Sequence, residues 1–239
     1  MCIVPRRRPA TDYVSRVAVV GGDDPDIEEE PSLPVRKLLQ CLRWLYEGAI
    51  NGIPGVDGLE DLAQSYGAQH RCTDDAIDRL INWQVAKAGA AGFVTGVGGM
   101  LTLPIAIPGN LAGVLYIQIR MIGAVAHLRG YDVRSDQVRT LVVACLAGSA
   151  ALDILKGVGI NIGTRVTRQM ILRISGEVLK RINQAVGFRL VTKAGSRGVV
   201  NLVKGVPLVG GVVGGTFDAP ATKVIGRTAK QVFVPSAGV

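Results

Sequence analysis

Leu103-Pro104-Ile105-Ala106-Ile107-Pro108-Gly109-Asn110 sits inside a run from residue 88 to residue 119 that contains no charged side chain. A transmembrane helix needs about 20 apolar residues, or about 30 Å at 1.5 Å per residue, and interior prolines break or kink it. The run therefore reads as a helical hairpin with the two prolines at its bend and with arms at 88–103 and 110–128. The first arm would reach only about 24 Å. Such a hairpin either dips into a bilayer or forms the buried core of a helical protein.

Composition agrees with an oily helical chain. Hydrophobic residues make up 48%, aromatics only 5%, and there are 31 glycines; mean hydropathy is +0.32. The chain is thus oilier and richer in glycine than an ordinary soluble domain, which favours membrane association. No composition break after residue 35 marks a second domain, so one domain is expected over 35–234, with a charged tail at 1–34 and a short C-terminal tail at 235–239. The first tail holds Arg6-Arg7-Arg8 and an acidic stretch from Asp23 to Glu30. Low hydrophobicity with blocked charge does not offset ordering entropy, which makes this tail a disordered segment.

Apolar residues recur with helical period along the rest of the chain. Leu38, Leu39, Leu42, Leu45 and Tyr46 mark a helix over 35–49, closed by Asn51-Gly52-Ile53-Pro54-Gly55. A short helix over 59–66 follows. Thr73 with Asp74 and Asp75 opens the next, which leads into the hairpin. Beyond Gly130 the pattern predicts one helix over 137–155, an amphipathic helix over 165–186 and a closing helix over 222–233. The fold class is all-α: a compact bundle with a Gly/Pro-broken apolar hairpin, membrane-associated or with an unusually apolar core. Small residues four apart, such as Gly109 and Gly113, predict close helix approach.

Net charge is +8, and its distribution is uneven. Residues 1–159 hold 15 Lys/Arg against 17 Asp/Glu, whereas residues 160–239 hold 12 against Glu177 and Asp218. A basic last third implies an anionic partner, a lipid surface or nucleic acid, with a solvated basic face as the plain alternative. Arg165, Arg168, Arg173 and Lys180 fall on one face of the 165–186 helix, opposite Val166, Met170, Ile171, Ile174, Val178 and Ile182. That is the pattern of a helix lying in a membrane interface, with anionic membrane lipids as partner. Phe188, Phe217 and Phe233 are the only aromatics of the basic third, too few for base stacking to favour nucleic acid.

Catalytic motifs are absent. There is no phosphate loop and no G-x-S-x-G elbow, and the chain has only His70 and His127 as imidazoles. Cys2, Cys41, Cys72 and Cys145 are widely spaced and form no C-x-x-C pair, so neither a disulfide framework nor a zinc site is expected, and no cofactor is called for. The N-terminus lacks a signal-peptide pattern, which leads to the expectation of a cytoplasmic protein at the inner membrane. The polar groups inside oily helices are the better lead. Asn110, Gln118, Arg120, Asp153, Lys156 and Asp218 are each flanked by apolar residues, where an unpaired charge is costly. They are expected to form a buried polar cluster, with Arg120 meeting Asp153 or Asp218. The cluster is either a structural network or a ligand site, and an enzyme, the less favoured reading, would have to use it.

The segments Gly52-Ile53-Pro54-Gly55, Leu80-Ile81-Asn82-Trp83-Gln84, Gly92-Phe93-Val94-Thr95-Gly96, Leu103-Pro104-Ile105-Ala106-Ile107-Pro108-Gly109-Asn110-Leu111, Gln118-Ile119-Arg120-Met121-Ile122 and Gly130-Tyr131-Asp132 resemble the EcsC family of bacterial proteins. Val186-Gly187-Phe188-Arg189-Leu190 and Val206-Pro207-Leu208-Val209-Gly210-Gly211 continue the resemblance, which spans 35–234. That family takes its name from a gene in an operon that also encodes an ABC transporter. The resemblance therefore implies a role accessory to transport or secretion, with a membrane transporter as a further partner, and transfers no catalytic residue.

Overall fold

The computed structural model describes residues 31–89, 109–160, 168–203 and 210–235, with side chains omitted at a few helix ends. Pro34 in the first turn starts helix α1, Leu33–Asn51. Val35, Cys41, Leu42, Leu45, Tyr46, Ala49 and Ile50 turn inward, while Arg36, Lys37 and Arg43 stay in water. A tight turn then reverses the chain through two bonds between Ile53 and Val56, and Pro54-Gly55 supplies the φ values that a type II turn needs. Helix α2, Leu59–Gln69, and helix α3, Thr73–Gly89, follow.

Helix α4, Gly109–Leu128, is the second arm of the expected hairpin and the axis of the molecule. Every residue from Leu115 through Ala126 is buried. The helix packs against α1, α2 and α3, and also against α5, Asp136–Cys145, and α9, Gly210–Val232. Of the two alternatives left open for the hairpin, this arm has the surroundings of a buried core, since five protein helices pack around it. Among the described residues no helix is long and apolar enough to cross one. The first arm beyond Gly89 and the Pro104/Pro108 bend lie outside the described residues.

Two expected helices are broken. The helix over 137–155 divides into α5 and α6, Ala150–Gly157. Leu146, Ala147 and Gly148 donate to carbonyls three residues back, and Gly148 takes φ +68°, which ends the α-helix. Ser135 caps α5: its hydroxyl accepts from Val138 N–H at 3.4 Å. The amphipathic helix over 165–186 is likewise interrupted, into α7, Arg168–Leu172, and α8, Gly176–Val203. Arg173 and Ile174 close α7 with three-back bonds, and Ser175 caps α8 by accepting from Val178 N–H at 3.4 Å. Arg168, Arg173 and Lys180 therefore do not share one continuous helix. Helix α9 starts twelve residues before the expected Thr222 and carries Pro220 in its interior.

The helices approach closely at glycines other than those singled out by four-residue spacing. A Cβ on Gly123 would lie 2.7 Å from Leu59 Cδ2, and one on Gly226 would lie 2.7 Å from Ile81 Cγ2, whereas Gly113 and Gly159 face open space. The tightest case is Gly58, where a Cβ would sit 2.5 Å from the Ile50 carbonyl oxygen. Backbone at a helix end cannot retreat as a side chain does. Gly58→Ala is expected to destabilise the fold by about 1–3 kcal/mol, read as a lower urea midpoint with unchanged slope.

Candidate functional site

The polar residues of α4 point in different directions. Residues two apart on a helix diverge by about 200°. Gln118 accordingly turns toward α9, where its Nε2 donates to Thr222 Oγ1 at 3.0 Å; both residues are buried. Arg120 turns toward α2, into the neighbourhood of Tyr116, Asp57, Asp61 and Tyr66. It is only 8% exposed, and its Nε has no hydrogen-bond partner. Burial lowers its pKa, against the opposing influence of Tyr116, the two carboxylates and Tyr66.

The expected six-residue cluster does not assemble. Asp153 and Lys156 are exposed, because α6 directs Ala151 and Leu155 inward and its charged residues outward. Asp218 is half-buried on α9. Among the described residues Arg120 forms no ion pair, so it meets neither Asp153 nor Asp218. The side chain of Asn110 and the whole of Arg165 lie outside the described residues, as does the side chain of Arg168.

Sequence reasoning overlooked Gln84. It is 1% exposed on α3, and its Nε2 has no hydrogen-bond partner. The signal was present, since Gln84 follows Ile77, Leu80 and Ile81 at helical spacing and so belongs to the inward stripe. Lys87, one turn further along α3, stands over the Trp83 ring, 5.7 Å from its centroid. Its pKa is lowered by burial and then by the Arg120 charge, which places these two cations in each other's field. Thr222 was also missed as a core polar residue, having been read as a helix start.

The remaining reactive groups have structural surroundings. His70 Nδ1 lies 3.0 Å from the Tyr66 carbonyl oxygen at the end of α2. Cys41 and Cys145 are buried, and burial pushes both thiols up, away from thiolate chemistry, while Cys72 is exposed. Among the described residues no three His, Cys, Asp or Glu side chains gather as a metal site. A 320 Å³ surface cavity lies between Glu60, His127 and the 130–134 turn. A second, of 460 Å³, follows the 51–58 loop to Asp61.

A family model described as the EcsC protein family matches residues 35–234. No curated protein and no solved structure matches the chain.

The Gln118–Thr222 bond provides a direct check on the α4–α9 contact. Thr222→Val leaves a buried amide without its acceptor and is expected to cost about 1–3 kcal/mol. Adding Gln118→Leu should recover part of that loss, so that urea unfolding of the double variant shows less than the sum of the single effects.

Proposed function

Because the chain belongs to the EcsC protein family, we propose that it is a non-enzymatic helical protein that attaches to an anionic lipid surface through its basic last third, at the cytoplasmic face of the inner membrane and as an accessory to a transport or secretion system. The observation that carries this reading is the surface of α7 and α8. Met170, Leu172 and Phe188 are exposed by 54%, 48% and 65%. Lys180, Arg181 and Arg189 are exposed on α8, and Arg173 is exposed in the turn that joins the two helices. Large apolar side chains held in water among cations suit the headgroup boundary of a bilayer.

Attachment in this reading is peripheral, since α4 is already enclosed by protein. The cations are also available. Arg181 engages Glu177 at 2.7 Å, one helical turn away, but among the described residues Arg173, Lys180, Arg189, Lys223 and Arg227 form no ion pair. A nucleic-acid module would need stacking aromatics, and Phe233 is fully buried. An enzyme would need an acid–base pair, and the exposed Asp153 and Lys156 stand apart from buried Arg120.

Each cation near an anionic bilayer contributes about 1 kcal/mol. Reversing Arg173, Lys180 and Arg189 to Glu is therefore expected to weaken retention on phosphatidylglycerol vesicles by about 100-fold or more. Helicity and melting should change little, because exposed charges contribute little to folding. A folded triple variant that binds vesicles like the parent protein would refute this function.

A further inference from the structure

Helices α3, α4 and α9 share one register. Arg129, directly after α4, pairs with Asp74 in the first turn of α3, and Lys230 of α9 pairs with Asp78 at 2.6 Å while Gly226 packs on Ile81. Counting eleven residues inward from Asp74 and Arg129 sets Val85 opposite Gln118. Counting four from Ile81 and Gly226 sets Val85 opposite Thr222. Gln118 and Thr222 are the pair that does bond. Two independent counts thus agree on an antiparallel arrangement of α3 with both α4 and α9. Gln84, Gln118, Arg120 and Thr222 consequently stand in one polar layer across an otherwise apolar core.

Within that layer Gln118 and Thr222 satisfy each other. Gln84 Nε2 and Arg120 Nε, both in side chains more than nine-tenths buried, have no partner. Asp57 and Asp61 influence Arg120 without forming an ion pair with it. Lys87, one turn beyond Gln84, adds a second positive charge that senses Arg120. An amide donor and a guanidinium nitrogen, both buried and without acceptors, call for a ligand that is all acceptor and negatively charged. A phosphoryl group, with several oxygens and no obligatory donor, meets that requirement. A buried donor left without an acceptor is costly, and the layer holds two.

We propose that Gln84 and Arg120, with Lys87 at the rim, form a phosphate-binding site between α2, α3 and α4. The phosphate belongs either to a free monoester or to a lipid headgroup. The site is separate from the α7–α8 surface and does not depend on it.

The test is the thermal melt of the full chain in inorganic phosphate, against sodium chloride at matched ionic strength, together with retention on phosphatidylcholine vesicles with and without phosphatidic acid. At about ten times its dissociation constant, phosphate should raise Tm by about 3–6 °C. Arg120→Met and Gln84→Met should each abolish that shift while far-UV circular dichroism stays native. Gln84→Met removes the donor without touching charge and carries the test if Arg120→Met fails to fold. A shift with inorganic phosphate identifies a free-phosphate site. No shift, but loss of phosphatidic acid-dependent retention in Gln84→Met, identifies a headgroup site. Absence of both responses in the parent protein, or variants that respond like it, overturns the proposal. The Arg173/Lys180/Arg189 reversal should leave the inorganic phosphate shift intact, so the two readings fail separately.

Discussion

The three turns of α4 from Leu115 to Ala126 have no side to turn toward water, and five other helices exist in part to provide that enclosure. A helix buried on all sides must be apolar all round, which explains why its sequence is hard to distinguish from a membrane segment. It also sets the shape of its neighbours. Gly123 admits Leu59 from α2, and on the neighbouring α3–α9 contact Gly226 admits Ile81, so the helices seat without gaps. Tyr46 and Tyr116 fill the space beside α1, with the Tyr46 hydroxyl donating to the Val133 carbonyl at 2.7 Å and thereby tying α1 to the turn after α4. Tyr131 and Phe233 meet edge-to-face at 5.3 Å, which closes the far end of α9 on the same turn.

A core of this kind makes its polar residues conspicuous. Gln118 and Thr222 resolve their cost by bonding across the α4–α9 interface, while Arg129 and Arg139 each reach a carboxylate through Nη2 although their Nε atoms have no hydrogen-bond partner. Gln84 Nε2 and Arg120 Nε are likewise without a partner, and among the described residues Arg120 has no ion pair to offset this. Replacing a buried ionic group by an apolar one of similar volume is often neutral or stabilising, so packing alone gives no reason for a guanidinium at position 120.

Much of the fold was legible in the sequence because periodicity reports burial. The stripes of α1 and α3, the Asp74/Asp75 start and the Gly130 stop all translated directly into helices. The breaks at 146–149 and 173–175 did not, since the apolar period runs through them. They follow from local details: three-back hydrogen bonding, a positive φ at Gly148 and the Ser175 cap. The polar site was half legible for a similar reason. Gln118 and Arg120 stand out as polar residues in an oily helix, but which neighbour each meets emerges only once α2 and α9 are in place. Asp153 failed as a core residue because apolar neighbours in sequence were taken for apolar neighbours in space. On the short helix α6 one side is buried, and Asp153 lies on the other.

The ion pairs show how the charge asymmetry relates to the fold. Arg129–Asp74, Arg134–Glu60 and Arg139–Glu47 connect residues of the nearly neutral first two thirds with one another. Among the described residues only Lys230, through Asp78, brings a cation of the last third to an acid of the first. Arg173, Lys180 and Arg189 are exposed, as are Met170, Leu172 and Phe188. Exposed cations and exposed apolar side chains contribute little to folding, so the packing of the bundle does not explain either group.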